Sequence, residues 1–400
     1  MSAPLENVRI VDLTTVVMGP SATQYLAQLG ADVIKVESPE GDGTRHIGVG
    51  RNPGMSGWFL GLNRGKRSIA LDLKTPAGRE ALLRLCEGAD ILVYNVRPDA
   101  MDRLGLGYRE VSERNPRLVY VGGLGYGRDG RYAGRPAYDD LVQAATGLPW
   151  LYDRAGGGEP RFVPAPLIDR LTGIYLAMTM IAALRHRDLT GAGSSVDVPM
   201  FEVMADVVLG DHFGGERFEP AIASWGYQRM LAPHRKPYRA RDGFIAALPY
   251  HDRQWRALFA ALGCQELYSS DERFSTNESR LDNIDALYQM FGELTPQRTV
   301  DEWMALFGEL DIAAMPVRSI EDLINDSHLV DAGFFETVEH ESEGRIRDIR
   351  LPSTWSNYTP DFARPAPRLG EHNRELLTEA GYSDEEISSI FGDCHESTRP

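Results

Sequence analysis

Hydrophobic and polar positions alternate in blocks from residue 8 to residue 121, in a pattern that predicts strands separated by helices. Val8–Leu13 is a short apolar run rich in β-branched residues, which is typical of a buried strand, and Ala31–Val36 is a second one. Between them, Gly19 and Pro20 predict the start of a helix, and Gly30 predicts its end. Because strand, helix and strand follow one another so closely, we expect a right-handed βαβ unit with parallel strands.

The same alternation continues along the chain. Three further runs predict strands and two amphipathic stretches between them predict helices: Arg67–Leu71, Asp90–Tyr94 and Leu118–Val121 for the strands, Pro76–Leu85 and Tyr108–Arg114 for the helices. A succession of this kind is typical of a doubly wound α/β domain built on an open parallel sheet.

From Asp139 onward the pattern is mainly helical. Helices are predicted over Asp139–Ala145, Asp169–Arg187 and Pro199–His212, with a strand at Val196–Val198. Residues 214–242 are rich in Gly, Pro and Arg and predict a linker. A second, smaller unit of short strands and helices follows, and Phe334–Glu339 and Ile346–Leu351 read as antiparallel strands before a helical, acidic end.

Composition and charge narrow the class of protein. The chain has 400 residues, of which 42% are hydrophobic and 25% charged, as is ordinary for a globular enzyme of two domains. Its formal net charge of −16 argues against a general nucleic-acid binder and against docking on an anionic membrane. The apolar run Ile174–Leu184 is shorter than the roughly 20 residues that span a bilayer.

The N-terminal sequence and the positions of the cysteines indicate a cytoplasmic location. The first residues hold no basic segment followed by an apolar one, so we expect no secretory signal. Cys86, Cys264 and Cys394 lie far apart and form no C-x-x-C pair, which predicts neither a disulfide framework nor a metal site. We therefore expect a cytoplasmic protein without a bound metal.

Basic residues are concentrated in one part of the chain. Residues 64–135 hold fourteen Lys and Arg against nine Asp and Glu, so this stretch carries a net +5 while the remainder carries −21. A local cationic region in an acidic protein suits a small polyanionic ligand. Exposed arginines on helix faces would give the same count, however, and both interpretations stay open at this point.

Two glycine-rich motifs do not carry a function. Gly125–Gly130 matches G-x-G-x-x-G after a strand but does not open a helix directly, as a dinucleotide fingerprint requires. Gly61–Arg67 resembles a phosphate-binding loop but has three residues between its glycines instead of four, and Arg where Ser or Thr is needed.

One carboxylate remains as a candidate for chemistry. Asp169 stands directly before a long apolar helix, where it can act as an N-cap. A carboxylate held at a helix N-terminus is also kept ionised by the helix dipole and is a usable nucleophile. From the residues alone, capping and catalysis both remain possible and are compatible.

Ten strings along the chain together resemble family III CoA-transferases, the CaiB/BaiF group. In order they are Gly19-Pro20, Leu29–Glu37 (LGADVIKVE), Gly41-Asp42 with Arg45, Lys66–Lys74 (KRSIALDLK), Asn95–Pro98 (NVRP), Leu104–Leu106 (LGL), Asn115–Arg117 (NPR), Tyr138-Asp139, Thr190-Gly191 with Val196–Val198, and Leu369–His372 (LGEH). They run along nearly the whole chain.

The resemblance implies a fold and a domain division. The fold would be α/β, with a Rossmann-like parallel-sheet large domain formed by 1–213 and 330–400, an inserted smaller α+β domain at 243–329, and 214–242 as linker. Two chains would interlock as a homodimer.

The resemblance also implies an activity, the transfer of CoA from an acyl-CoA donor to a free carboxylic acid through mixed-anhydride and aspartyl-CoA thioester intermediates, and the residues that carry it out. Asp169 would be the nucleophile, and coenzyme A would be a co-substrate without any permanently bound cofactor. The positions expected to contact CoA are Val17, Met18, Leu71, Asp72, Leu73, Lys74, Asn95, Val96, Arg97, Arg103, Pro136, Ala137, Tyr138 and Asp139. Arg97 and Arg103 suit the phosphates because a guanidinium fork meets phosphate oxygens in pairs, and both lie in the basic stretch 64–135.

The resemblance defines the acids that exchange CoA less closely than it defines the site residues. Several family members use succinyl-CoA, so the partners expected are an acyl-CoA and a small carboxylic acid, for example a dicarboxylate such as succinate. Formyl-CoA:oxalate members have a tetraglycine loop and an Arg after the glutamate at position 37. Here 210–252 holds no such loop and Ser38 stands in place of the Arg, which argues against oxalate. His46, Asp139 and Arg170 are further candidates for the acid pocket.

Two alternatives to a transferase are open. The α-methylacyl-CoA racemases share the aspartate at position 169 but need a histidine where this chain has Ala137-Tyr138-Asp139, and tyrosine is a poor base at neutral pH. The second alternative is a non-catalytic CoA- or nucleotide-binding protein in which Asp169 only caps a helix.

Overall fold

The computed structural model describes residues 2–360 and 364–391, which fall into two compact units. The first unit comprises the described residues of 1–146, 164–206 and 329–400, and the second comprises 147–163 and 207–328. The sequence placed 147–163 and 207–213 in the large domain and 214–242 in a linker, whereas the structure groups all three segments with the second unit. Cys394 lies outside the described residues.

Eleven strands form three sheets over the described residues. They are β1 Arg9–Leu13, β2 Asp32–Glu37, β3 Lys66–Ala70, β4 Ile91–Tyr94, β5 Val119–Leu124, β6 Ser195–Pro199, β7 Tyr238–Arg239, β8 Phe244–Leu248, β9 Ala313–Pro316, β10 Phe335–His340 and β11 Gly344–Ile349.

Helices cover both units. They are α1 Met18–Gln28, α2 Gly57–Asn63, α3 Pro76–Glu87, α4 Pro98–Arg103, α5 Tyr108–Arg114, α6 Asp139–Ala145, α7 Leu148–Tyr152, α8 Leu167–Thr190, α9 Met200–His212, α10 Gln228–Leu231, α11 Asp252–Ala261, α12 Gln265–Ser269, α13 Asn277–Asp282, α14 Ile284–Leu294, α15 Val300–Glu309, α16 Ile320–Ile324, α17 Ser327–Asp331, α18 Asn373–Glu379 and α19 Asp384–Phe391.

The first unit is built on a six-stranded parallel sheet in the order β3-β2-β1-β4-β5-β6. The predicted parallel α/β architecture is therefore confirmed. The strand order reverses between β1 and β4, which are neighbours with Leu13 beside Tyr94. In open α/β sheets, ligands bind outside the carboxyl ends of the strands at such a reversal. The loops after Leu13 and Tyr94 are therefore the expected walls of a site.

Helix α8 is the longest helix and packs against α1 in the core of this unit. By length and apolar composition alone it could cross a membrane, but a core helix of a soluble protein passes the same test. Ile168, Leu176 and Met180 are fully buried. Gly173 lets the helices come close, because a Cβ at this position would lie 2.3 Å from Ser21 Oγ and 2.8 Å from Met18 O. This contact places the start of α8 beside the start of α1.

The remaining sheets are small and antiparallel. In the second unit β7, β8 and β9 form a three-stranded sheet, with a core of aromatic and aliphatic side chains from α11, α14 and α15 that includes Trp255 and Trp303. In the first unit β10 and β11 pair as the sequence predicted.

Candidate active site

A cavity of about 660 Å³ opens at the carboxyl edge of β1, β4 and β5 in the first unit. Its walls come from the loops that follow these strands, from α4, and from Asp169 at the start of α8. The lining residues are Thr15–Met18, Asn95–Asp99, Arg103, Gly123–Tyr126, Arg128, Ala133–Tyr138, Asp169 and Met200. The reversal of strand order and the cavity therefore coincide.

Asp169 is a residue of the first turn of α8 and not its N-cap. The helix starts at Leu167, two residues earlier than the sequence predicted, and its cap position is Pro166, which offers no side-chain acceptor. The interpretation of Asp169 as a capping residue is therefore wrong. Its carboxyl group is left available to the cavity, on a rigid element.

The cap of α8 comes from a distant part of the chain. Asp139 Oδ2 accepts a hydrogen bond of 2.9 Å from the backbone N–H of Asp169. Asp139 Oδ1 accepts a second bond, of 2.6 Å, from Gln143 Nε2 one turn along α6. Gln143 is fully buried and so fixes the Asp139 carboxylate.

Burial and a neighbouring charge change the ionisation of Asp169. Desolvation, followed by the negative charge of Asp139, raises the pKa of Asp169 to about 6, while Arg170 partly opposes the shift. The helix dipole, which is the effect that the sequence indicated, favours the ionised form instead. A higher pKa makes the carboxylate a better nucleophile, and at pH 7 about nine-tenths of it is still ionised.

Some arginines of the basic stretch 64–135 are held by carboxylates and others are not. Arg67, Arg84, Arg109, Arg114 and Arg128 each form ion pairs with carboxylates. Arg97 and Arg103 line the cavity and form no ion pair with any residue that the structure describes. These two guanidinium groups are therefore available to an anionic ligand.

The structure brings most of the expected CoA contacts together around Asp169. Val17, Met18, Asn95, Val96, Arg97, Arg103, Pro136, Ala137 and Tyr138 all line the cavity, and Asp139 lies directly behind it. Among the described lining residues none comes from Leu71–Lys74, because these follow β3, two strands away from β1. Leu71 is buried, and Asp72 Oδ1 accepts the N–H of Lys74.

The suggested additional acid-pocket residues do not enter this cavity. His46 is exposed in a short 3₁₀ helix after β2, and it is absent from the described lining residues, as is Arg170. Asp139 acts on Asp169 from outside the lining.

Several lining residues were not found from the sequence. Gly123 is the last residue but one of β5, where a Cβ would lie 2.9 Å from Met18 Cε, so the glycine allows the cavity wall to form. Thr15, Val16, Tyr126, Arg128 and Met200 also line the cavity. The glycines of the 122–127 segment were the available signal, because a strand that ends in glycines often lies against a ligand or another backbone.

The chain matches the family model described as CoA-transferase family III over residues 5–373. A curated succinate–glutarate CoA-transferase of Agrobacterium fabrum is 32% identical over 94% of this chain and 95% of its own length. A curated formyl-CoA:oxalate CoA-transferase of Escherichia coli O6:H1 is 32% identical over 98% of this chain and 99% of its own.

Solved structures show the same similarity. A CaiB/BaiF family protein from Brucella suis superposes with a TM-score of 0.80 at 30% identity, covering 95% of this chain and 100% of the other. The Rv3272 protein of Mycobacterium tuberculosis superposes with a TM-score of 0.81 at 29% identity, covering 94% and 99%.

Proposed function

The chain belongs to CoA-transferase family III and is a CoA-transferase, and we propose that it moves CoA from an acyl-CoA to a free carboxylic acid by covalent catalysis on Asp169. The observation that carries the proposal is the position of Asp169. Its carboxyl group, with a pKa raised to about 6 by burial and by Asp139, shares one cavity with Arg97 and Arg103.

A carboxylate suits this transfer for an energetic reason. Reaction begins and ends at a thioester, so each intermediate must keep a comparable acyl-transfer potential. A serine nucleophile would form an ordinary ester and trap the acyl group, whereas an aspartate forms an anhydride. Holding the reacting groups in position compensates for the modest nucleophilicity of a carboxylate, since effective molarities of about 10⁵–10⁸ M are attainable.

The proposed reaction has four displacements. An Asp169 oxygen attacks the donor thioester carbonyl, the C–S bond breaks, and CoA leaves as a thiolate. The donor acyl group is then joined to Asp169 as a mixed anhydride. The thiolate attacks Cγ of Asp169, which releases the donor acid and leaves an aspartyl-CoA thioester. The acceptor carboxylate attacks that Cγ and again expels the thiolate. Attack of the thiolate on the acceptor carbonyl then forms the new acyl-CoA and restores the Asp169 carboxylate.

The cavity walls support a role in holding CoA. Arg97 and Arg103 present guanidinium groups that suit the phosphates of the nucleotide. The loops of Thr15–Met18 and Asn95–Arg97 follow adjacent parallel strands, where nucleotide ligands commonly bind. The residues Leu71–Lys74 remain expected contacts only through the resemblance.

We propose small dicarboxylates as the acids. The support comes from the relative named succinate–glutarate CoA-transferase, since this chain is 32% identical to it over nearly its full length. Ser38 and the absence of a tetraglycine segment in the sequence between 210 and 252 separate it from the oxalate-specific pattern.

The racemase alternative has less support. Tyr138 is 69% exposed on the cavity wall, and no histidine occurs among its described lining residues. A racemase needs a second base on the opposite face of the α-carbon, and a tyrosine is less suited to this role than a histidine.

We also propose a cytoplasmic homodimer. The interlocked arrangement is what family membership implies, and the apolar face of α8 supports an association. Ile174, Met178 and Ile181 on this helix are 56%, 55% and 41% exposed, a cluster that a second copy would cover.

The proposal is tested by trapping the enzyme intermediate. Incubation with succinyl-CoA and glutarate, followed by intact-protein and peptide mass spectrometry, should give a CoA adduct on the peptide that carries Asp169. The variant Asp169→Asn should lose at least about 10³-fold in kcat/KM while it still binds CoA. The matched control is Asp140→Asn, an exposed carboxylate in the first turn of α6, which should stay active. An active Asp169→Asn variant would refute the mechanism, and epimerisation of an α-methylacyl-CoA without any acceptor acid would favour the racemase.

A further inference from the structure

Val16 has a backbone conformation that is unusual for its residue type. Its φ is 69°, in the left-handed region, and the other non-glycine residues with positive φ in the described chain are Asn7 and Asp311. A β-branched side chain strongly disfavours this region, so the surrounding structure must impose it. Val16 lies on the wall of the cavity that contains Asp169 and directly precedes Val17 and Met18. The strained residue is therefore in the site and not in a remote turn.

A buried ion pair holds this turn from one side. Lys35 Nζ donates to Asp42 Oδ2 at 2.9 Å, and both side chains are completely buried. The same ammonium group donates to the backbone oxygen of Thr14 at 3.0 Å. The other oxygen of Asp42, Oδ1, accepts from the N–H of Val16 at 3.4 Å. The pair thus contacts the backbone on both sides of Thr15.

Asn95 holds the turn from the neighbouring strand. Its Oδ1 accepts from the N–H of Thr15 at 3.0 Å, and its Nδ2 donates to the carbonyl of Thr15 at 2.8 Å. Three consecutive residues, 14 to 16, are therefore each fixed by a side chain that lies distant in the sequence.

The ion pair is itself set in a buried polar cluster. Asp42 Oδ1 also accepts from the N–H and the hydroxyl of Thr44, at 2.9 and 2.8 Å. The N–H of Asp42 donates to Glu37 Oε2, and Glu37 receives two bonds of 2.7 Å from Arg45. A buried ion pair adds little net stability, because desolvation of both charges offsets their attraction. Its main effect here is to fix the backbone conformation of residues 14–16.

We propose that Lys35 and Asp42 are positioning residues of this CoA-transferase: their buried pair holds residues 14–16 in the strained conformation and thereby sets Val17 and Met18 in the wall that binds CoA. This inference rests on the proposed CoA site, because it assigns a substrate-binding consequence to two residues that do not line the cavity.

The first test compares two variants of the same cluster. Asp42→Asn keeps the shape of the side chain but places an amide against the Lys35 ammonium. We expect KM for the acyl-CoA to rise about tenfold while kcat changes less than about threefold. The reason is that losing a contact which stabilises the bound substrate and the transition state equally raises KM and leaves kcat unchanged. The control is Ser68→Ala, whose buried hydroxyl donates to Glu37 Oε1 at 2.7 Å and does not contact residues 14–16. It should leave KM unchanged even where it lowers stability.

The second test measures coupling to the strained residue. Glycine adopts a positive φ without strain. In the V16G background the ion pair is therefore less necessary to hold residues 14–16 in their conformation. Asp42→Asn should therefore raise KM by a smaller factor in the V16G background than in the native chain, and a cycle of the four proteins measures the difference. A purely structural role predicts equal factors in both backgrounds and would overturn the proposal.

A third measurement separates this inference from the proposed mechanism. Calorimetric titration with CoA alone needs no turnover, and Asp42→Asn should weaken CoA binding about tenfold even if Asp169 is not the nucleophile. If Asp42→Asn does not fold, Thr44→Val keeps both charges, removes one bond to Asp42 Oδ1 and should weaken CoA binding about threefold. Unchanged CoA affinity in the folded variants would refute the positioning role.

Discussion

The carboxylate of Asp139, at the start of α6, accepts a hydrogen bond of 2.9 Å from the backbone N–H of Asp169, in the first turn of α8, and so joins two acidic residues that lie 30 positions apart in the sequence. This contact stabilises the helix start and at the same time brings a negative charge close to the proposed nucleophile. Stability of the site and reactivity of Asp169 are therefore linked through one side chain.

The pH dependence of activity should follow Asp169. Because its pKa is raised to about 6, the nucleophilic carboxylate is lost as pH falls through that value, and kcat/KM should decrease about tenfold per pH unit well below it. Asp139→Asn keeps an oxygen acceptor but removes the charge, so it should move this decrease to lower pH. The control Asp140→Asn removes an exposed charge and should leave the profile in place. Identical profiles for Asp139→Asn and the native enzyme would contradict the assignment.

Arg97 and Arg103 should contribute to CoA affinity more than other arginines of the basic stretch. Arg97→Gln and Arg103→Gln should each raise KM for the acyl-CoA about tenfold, because each removes a charge available to a phosphate. Arg109→Gln is a suitable control, since Arg109 is exposed and pairs with Glu110. Titrations at two salt concentrations should show a weaker salt dependence for the first two variants than for the control. Equal effects at all three positions would show that only the overall charge matters.

Gly173 should be intolerant of a side chain. In Gly173→Ala the Cβ would lie 2.8 Å from the backbone oxygen of Met18, so α8 must shift away from α1. We expect a loss of about 1–3 kcal/mol in the free energy of unfolding, measured in urea, and a lower kcat because Asp169 is displaced. Gly61→Ala in α2 is the matched helical glycine, with open space around its Cβ position, and should be neutral or stabilising. A Gly173→Ala variant with native stability would contradict the close packing.

Acid unfolding should report on Asp12, a buried residue of β1. Burial by itself would raise the pKa of Asp12, but the ammonium groups of Lys66 and Lys35 outweigh it and lower the pKa to about 2. Since the pKa in the folded state is below the usual 3.8, the contribution to stability is complete above about pH 4. About 2 kcal/mol should then be lost as the pH falls toward 2. In Asp12→Asn, the free energy of unfolding should be lower and should fall less steeply over this range. An unchanged slope would show that other carboxylates dominate.

Much of the first unit could be predicted from local sequence. Apolar runs of four to six residues located β1 to β5, and Gly and Pro located the ends of α1, because these signals act within a few residues. Helix α6 was predicted with the bounds it has, Asp139–Ala145. The start of α8 was wrong by two residues, and with it the capping role of Asp169, because its N-terminal acceptor comes from α6 and not from the local sequence.

The site was predictable only in part. The resemblance located Asp169 and nine of the residues that share its cavity. It also included Leu71–Lys74, which lie outside this cavity because they follow β3, two strands away from β1. Neither pattern nor resemblance indicated the strained Val16 or the ion pair beneath it.

The sequence by itself determined the type and chain order of the elements of the sheet, and the presence of an aspartate near the start of a long apolar helix, because backbone preference and hydrophobic period are local properties. The tertiary structure decided which charges meet. It left Arg97 and Arg103 on the cavity wall without an ion pair to any described residue, and it placed Asp139 against Asp169 and Lys35 against Asp42. The energies of these contacts depend on distance and burial, which are fixed only when remote segments pack together.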